Sequence, residues 1–199
     1  MIKQVYKGQE LTRTKVKNNI LKIWDMTDED ERRDWYLEAY VWANSLSLET
    51  GKPLSIVVGV IAALSPRKRW SENLIIAKNM IETGDCGHIK LFKDKAKLII
   101  ECDGTDEAIL DILNGNKISA FYLNIRYPHK ANITTIDRHA LSIALNTWIS
   151  EEDYQGMTTK QYQFFVQCYA LAAMKEGISP LLMQSATWLK WRKIKKDYR

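Results

Sequence analysis

A helix–turn–helix segment with Gly115, Asn116 and Lys117 in its turn has the residue types that bind phosphate. The backbone amides of such a turn, together with those that begin the second helix, point outward and hold an anion without reading nucleotide sequence. The glycine stands where the chain needs conformational freedom, and Lys117 adds a cation where the phosphate would lie. Taken alone, the segment is equally typical of an ordinary corner between two helices.

A carboxylate follows at Asp137, at the start of an apolar helix. As an N-cap it would accept the free amides of that helix, a structural role that explains most Asp residues in this position. If it also faces a cleft, it can stabilise a developing positive charge or orient an attacking water. Arg138 would point about 100° away around the helix and would be left for a phosphate. For His139, a supporting hydrogen bond and a purely structural place at the helix start both stay open.

A third segment joins cations to an aromatic ring. The loop after the apolar run 54–64 ends in Trp70 and carries three consecutive cations, Arg67, Lys68 and Arg69. Such a loop suits a surface that faces nucleic acid, because bases stack on the ring while the charges approach phosphates. The loop is therefore a candidate nucleic-acid contact, and Trp70 is the candidate residue for a base pocket.

Apolar residues recur at helical spacing almost throughout the chain and at strand spacing almost nowhere. We therefore expect helices to hold the three segments described above in place. A capped helix is predicted to begin at Thr27, and Ser71 is predicted to cap another. The run 54–64 forms a buried central helix; it also permits a strand, but flanking helices would leave that strand without a partner. The other predicted helices are about 94–101, 105–114, 118–126, 138–148, 159–176 and 180–197. Roughly nine or ten helices define an all-α fold.

Composition excludes several classes of protein. An apolar fraction of 46% excludes wholesale disorder, and a net charge of +5 fits a polyanionic partner. The cysteines Cys86, Cys102 and Cys168 match no metal-site spacing, so we expect free thiols and no metal or iron–sulfur cofactor. Because no apolar run is long enough to cross a bilayer, we expect a cytoplasmic protein with no membrane partner.

The motif Leu113-x-Gly115-x-Lys117-x-Ser119, followed by Ile136-Asp137-x-His139, resembles the helix-hairpin-helix and Asp motif of the base-excision DNA glycosylases. In the endonuclease III and MutY type the pattern is Leu-Pro-Gly-x-Gly-x-(Lys or Ser)-x-Ala, then Val-Asp-Thr-His. Ser119 takes the nucleophile position, and its separation of eighteen residues from Asp137 equals the family spacing. The stretch 63–67 similarly resembles the Leu-Ser-x-Gln segment that wedges into the hole left by an extruded base, with Arg67 as the wedge.

This resemblance implies a helix-hairpin-helix DNA glycosylase bundle that binds double-stranded DNA and acts on a flipped-out base, with Asp137 as the catalytic carboxylate. It implies one globular unit with a hairpin-bearing barrel lobe over 27–135 and a second lobe over 1–26 and 136–199. Ser119 replaces the lysine that forms a Schiff base, which implies the monofunctional branch without strand cleavage. Further departures are Asn114 for proline, Lys117 for the second glycine, Phe121 for a small alanine, and the missing four-cysteine cluster.

Two other functions stay open. Bacteriophage relatives of this fold alter thymine-derived bases in place, by displacing an activated group from the base. A third possibility is a DNA-binding module that keeps the hairpin for phosphate binding and performs no reaction. An Asp137 that only caps its own helix and faces no cavity would favour that module.

Overall fold

The fold consists of ten helices and one β-hairpin, in a computed structural model that describes residues 3–130 and 133–197. In chain order the elements are β1 (Lys3–Tyr6), β2 (Gln9–Thr12), α1 (Arg13–Trp24), α2 (Trp35–Thr50), α3 (Leu54–Leu64), α4 (Trp70–Thr83), α5 (Lys90–Glu101), α6 (Asp106–Leu113), α7 (Asn116–Arg126), α8 (Arg138–Leu145), α9 (Thr159–Glu176) and α10 (Pro180–Asp197). The predicted all-α fold of about ten helices is confirmed.

The chain divides into two compact units. The terminal unit comprises Met1–Trp35 with Lys130–Arg199, and the central unit comprises Tyr36–His129. The segment 27–35, which the sequence-based division assigns to the hairpin-bearing lobe, belongs to the terminal unit.

Helix α3 forms the middle of the central unit and packs against α4, α5, α6 and α7. Every residue from Ser55 to Leu64 is buried, which confirms a helix that is apolar nearly all round. The helices approach closely at Gly59, where an added β-carbon would lie 2.9 Å from Ile99 Cγ2 and 3.1 Å from Ile109 Cγ2. The missing side chain therefore lets α5 and α6 lie directly against α3.

A β-hairpin that the sequence analysis did not predict opens the terminal unit. Its strands pair antiparallel from Tyr6↔Gln9 to Lys3↔Thr12, and Lys7 and Gly8 both take positive φ in the turn, 48° and 76°. Two four-residue strands are too short to show a convincing alternation of apolar and polar residues, so the pattern escapes a search by period.

The helix predicted to begin at Thr27 begins instead at Trp35. The Thr27 hydroxyl donates to the Trp24 carbonyl at 2.7 Å and accepts from Arg32 Nε at 2.8 Å. Glu31, only 1% exposed, pairs its carboxylate with Lys190 at 3.5 Å and with Lys193. The prediction that the acidic residues 28–31 form the first turn of a helix is therefore wrong. They form turns instead, and Glu31 is ion-paired with α10.

Smaller boundary errors have local causes. Helix α4 begins at Trp70, so Ser71 lies in its first turn rather than capping it. Helix α8 ends at Leu145 because Asn146 takes a left-handed conformation with φ of 50°. Among the described residues no single helix is long and apolar enough to cross a membrane; α2 and α3 meet the criteria of length and composition only as a pair bent by 120°.

Alkaline pH is expected to destabilise the terminal unit. Burial raises the pKa of Tyr154 to about 12 and that of the Cys168 thiol to about 12. Both groups bind protons more tightly in the folded chain than in the unfolded one, where they titrate near about 10 and about 8.5. Their stabilisation is therefore complete below about pH 8.5 and declines as the pH rises toward about 12.

Urea unfolding at a series of pH values measures this loss. We expect a constant midpoint from about pH 7 to 8 and a falling one from about pH 9 to 11, with a shallower fall in Tyr154→Phe. A midpoint that stays constant up to about pH 11 would contradict the linkage.

Candidate functional site

The Asp137 carboxylate is held by two neutral N–H donors. Its Oδ1 accepts from the backbone N–H of Ala140 at 2.7 Å, which makes it the N-cap of α8. Its Oδ2 accepts from the indole N–H of Trp188 on α10 at 2.9 Å. The side chain is half-buried, and within residues 3–130 and 133–197 it has no ion-pair partner. The carboxylate therefore has a fixed orientation, and its charge is not neutralised by an ion pair within the described residues.

Two tyrosines of α9 hold the backbone around Asp137. The Tyr162 hydroxyl accepts from the N–H of Ile136 at 3.1 Å and donates to the carbonyl of Thr134 at 2.9 Å. The Tyr169 hydroxyl donates to the carbonyl of Ala140 at 3.0 Å. These buried bonds lock the turn before α8 and the first turn of α8 onto α9, so the position of the carboxylate does not depend on its own hydrogen bonds alone.

A group of aromatic rings surrounds this turn, and we call it the tryptophan cluster. Its members are Trp35, Trp148, Trp188, Trp191 and His139. His139 lies 5.7 Å from Trp148 and 6.1 Å from Trp188, measured between ring centroids. Trp148 and Trp191 are nearly parallel, with an interplanar angle of 13° and centroids 6.4 Å apart. The indole that bonds to the carboxylate, that of Trp188, is thus part of a connected group of rings.

The tryptophan cluster was not predicted from the sequence, where Trp70 was the candidate for a base pocket. One signal could have found part of it: Trp188 and Trp191 are three residues apart on α10, which puts both rings on one face of a helix. The indole N–H of Trp191 is buried and has no hydrogen-bond partner in the part of the chain that the structure describes. That N–H can donate a hydrogen bond to a ligand that carries an acceptor atom.

Arg138 and His139 make contacts within the terminal unit. The Arg138 guanidinium donates to the Ile149 carbonyl at 2.7 Å, lies 3.6 Å from the Glu151 carboxylate, and covers the Trp148 ring at 5.3 Å from its centroid. Because the side chain is only 17% exposed, it supports the loop after α8 rather than projecting toward a phosphate. The His139 ring is part of the tryptophan cluster, which accounts for it structurally.

The turn between α6 and α7 has a different backbone from the one expected. Asn114 takes the left-handed conformation, with φ of 44°, whereas Gly115 is extended with φ of 170°. Conformational freedom is therefore needed at Asn114, the position of the family's proline, and not at Gly115. Helix α7 has no side-chain cap, and Asn116 and Lys117 are exposed. The first turn of α7 consequently lies at the surface, and its Lys117 has no ion-pair partner among the described residues.

Contacts at both ends of the α6–α7 pair hold the hairpin in shape. At the turn, Lys95 Nζ donates to the carbonyl of Leu113 at 2.7 Å. At the other end, the hydroxyls of Tyr122 and Tyr127 both donate to the Asp106 carboxylate. Burial and this carboxylate raise the pKa of Tyr122, so the hydroxyl stays protonated and keeps its bond to Asp106.

Ser119 lies in the first turn of α7 and its N–H donates to the Gly115 carbonyl at 2.9 Å. Its hydroxyl has no hydrogen-bond partner within the described ranges, so no base activates it there.

Trp70 packs against aromatic rings of the central unit. Its ring lies edge-on to that of Phe121 with the centroids 6.4 Å apart, and the rings of Phe121 and Tyr36 lie at the same distance. The large side chain at position 121 is thus accommodated by aromatic packing behind the hairpin, and Trp70 is part of that packing.

The loop before α4 is strained at the predicted wedge. Arg67 takes a φ of 60°, a conformation that a residue with a β-carbon rarely adopts. Its neighbours Lys68 and Arg69 follow in the same loop, with Arg69 as the exposed N-cap residue of α4. Backbone strain of this kind persists only where the surrounding structure holds the residue in place, and such residues are concentrated at functional sites.

The predicted site residues fall into both units. The terminal unit contains Asp137, Arg138 and His139, and the central unit contains Ser119, the hairpin turn and the loop 67–70. A cleft of about 960 Å³ in the central unit is lined by residues between 67 and 93 and does not include Asp137. In the described part of the chain no group of three or more His, Cys, Asp or Glu side chains could hold a metal ion.

Comparison with known proteins identifies a family but no activity. The chain belongs to a family of unknown function (DUF7178), whose profile matches residues 2–195. No curated protein and no solved structure matches it.

Proposed function

We propose that this member of the family binds double-stranded DNA and releases one extruded base by hydrolysing its N-glycosidic bond, without cleaving the strand. The observation that carries the proposal is the carboxylate of Asp137, fixed by two neutral N–H donors and compensated by no cation among the described residues. A negative charge that is already oriented stabilises positive charge on a sugar without reorganising during the reaction.

The reaction would proceed at the C1′ carbon of the extruded nucleotide. The bond from C1′ to the base nitrogen breaks, its electron pair leaves with the base, and the sugar becomes positively charged. Asp137 stabilises that charge and orients a water, whose oxygen bonds to C1′; one proton of the water passes to the departing base and the other stays on the new C1′ hydroxyl. The product is an abasic strand that stays intact, because Ser119 carries no amine that could form an imine with the sugar.

The tryptophan cluster would provide the surface that meets the extruded base. Bases stack on aromatic rings at about 1–3 kcal/mol each, and Trp148, at 38% exposure, presents the most accessible ring of the cluster. The indole N–H of Trp191 offers a hydrogen bond to a base carbonyl. Phosphates would bind separately, at the exposed amides of the hairpin and Lys117.

A DNA-binding module without activity is the second candidate. It is favoured by the bond from Ala140 N–H to Asp137, which is an ordinary N-cap, and by the absence of Asp137 from the lining of the cleft in the central unit. Both candidates require DNA binding, so only the fate of the base separates them.

Mass spectrometry of bases and nucleosides after incubation with duplex DNA tests the proposal, using natural DNA and DNA with hypermodified thymine. We expect a free base in solution and an abasic strand that breaks only on treatment with alkali. Nicking by the pure protein would contradict the monofunctional mechanism. A changed base that stays in the polymer would establish base modification instead, and unchanged DNA that is nevertheless bound would establish the module.

Lys117→Ala tests the hairpin independently of catalysis. Because a phosphate contact is electrostatic, the variant should bind all duplex sequences more weakly, with the slope of log K against log salt reduced by about one unit. Fluorescence anisotropy at several salt concentrations measures both quantities. The matched control is Lys78→Ala, whose charge is already paired with Glu49 at 2.6 Å. If the two variants show the same slope as the unmodified protein, Lys117 does not contact phosphate.

A further inference from the structure

We propose that the cleft of the central unit is an anion site that takes a phosphate group. The cleft has a volume of about 960 Å³ and lies between the loop before α4, the end of α4 and the start of α5. Its charged and polar lining consists chiefly of Arg67, Lys68, Asp85, His88 and Lys93. The phosphate could belong to a free mononucleotide or to the DNA backbone, because the cations would bind both in the same way. The competition experiment below distinguishes these two sources.

Uncompensated cations are the first reason. Arg67 and Lys68 have no ion-pair or side-chain hydrogen-bond partner in the described residues, and Lys68 is half-buried. Lys93 is paired with Asp85 at 2.9 Å, so the lining carries three cations and one carboxylate. An excess of positive charge at one place on the surface attracts an anion.

The backbone of Arg67 is the second reason. Its φ of 60° is held in place by His88, whose Nε2 lies 3.1 Å from the carbonyl oxygen of the preceding residue, Pro66. Phe92 packs against the His88 ring at 4.9 Å between centroids. The loop is thus braced in a conformation that arginine disfavours, at the point where its side chain reaches the cleft.

Electrostatics at His88 agree with this description. Burial, and then the charge of Lys68, lower the pKa of His88 below its ordinary value of 6.5. The ring is therefore neutral at pH 7, and a neutral ring with its proton on Nε2 donates to the Pro66 carbonyl. His88 braces the loop, while the cations supply the charge that binds the ligand.

The site does not depend on the proposed function. It lies in the central unit, whereas Asp137 lies in the terminal unit, and its readout is binding of a ligand rather than release of a base. Loss of activity in an Asp137 variant would leave phosphate binding unchanged, so the two proposals fail separately.

Isothermal titration with inorganic phosphate, thymidine monophosphate and unphosphorylated thymidine tests the cleft in the full chain. We expect both phosphates to bind and thymidine to bind at least about tenfold more weakly, since charge-assisted hydrogen bonds supply the affinity. Lys68→Ala should weaken phosphate binding about tenfold, and Asp85→Asn should strengthen it about fivefold by releasing Lys93 from its ion pair. Lys78→Ala, outside the cleft, should bind phosphate as the unmodified protein does.

A competing DNA duplex distinguishes the two sources of phosphate. Displacement of thymidine monophosphate by the duplex would identify a contact to the DNA backbone, and simultaneous binding would identify a site for a free mononucleotide; both support an anion site. Equal binding of thymidine and its monophosphate would overturn the proposal, and so would unchanged phosphate affinity in Lys68→Ala.

Arg67→Gly removes the charge without a risk of misfolding. Glycine readily adopts positive φ, so this variant should unfold at a higher urea concentration than the unmodified protein while it binds phosphate more weakly. Unchanged phosphate binding in a stabilised Arg67→Gly protein would show that the strain serves no ligand in the cleft.

Discussion

Asp137→Asn is expected to reduce base release at least about 100-fold while leaving affinity for duplex DNA nearly unchanged. Removing one preorganised electrostatic contact to a transition state costs about 100- to 1,000-fold in rate. The amide oxygen of asparagine can still accept from the Ala140 N–H, so the helix cap survives. Its amide nitrogen, however, cannot accept from the Trp188 indole, and the negative charge is gone.

Single-turnover release of the base measures the rate, and anisotropy at fixed salt measures affinity. An equal loss of both would mean that the variant binds DNA poorly, and undiminished release would exclude Asp137 from the chemistry. Urea unfolding of the same variant serves as the control, because a surviving cap predicts only a small change in stability.

Trp188→Phe separates orientation from charge at the same carboxylate. The phenyl ring keeps an aromatic surface and removes the donor that holds Oδ2 at 2.9 Å. We expect a smaller loss of activity than in Asp137→Asn, because the charge remains and only its orientation is weakened. Trp188 would then be a positioning residue, and its effect should appear in the rate of release rather than in DNA affinity.

Gly59→Val is expected to destabilise the protein by about 3 kcal/mol, the upper part of the usual range for overpacking a core. The first added carbon would already lie 2.9 Å from Ile99 and 3.1 Å from Ile109, and both neighbours are fully buried. Valine adds two further methyl groups to a space that holds none, so α5 and α6 must move away from α3.

Urea unfolding measures the change, and a double-mutant cycle tests its cause. Ile99→Ala alone should also destabilise the protein, by opening a cavity. If the two side chains compete for one space, the double variant should be at least about 1 kcal/mol more stable than the sum of the single effects predicts. Additive effects would place the cost of Gly59→Val elsewhere.

Features that depend on residues within one or two helical turns were predictable. Asp137 caps α8 as expected, with a side-chain bond to the backbone N–H three residues ahead, since the capping geometry involves only neighbouring residues. The buried helix 54–64 followed from its composition, because a helix that is apolar on all sides has to be surrounded. The helix start predicted at Thr27 is wrong, because the ion pairs of Glu31 with α10 stabilise turns in place of a helix.

Tertiary packing decided what the predicted residues can do. Trp188, 51 residues from Asp137, orients the carboxylate by a hydrogen bond. The Arg138 guanidinium donates to the Ile149 carbonyl in the loop after α8. The cleft beside Arg67 needs the start of α5 to complete it. The sequence by itself determined most of the helices and the place of Asp137 at the start of α8, because each follows from backbone hydrogen bonds between near neighbours. The partners of each side chain depended on which helix faces meet, and that is settled by the packing of the whole chain.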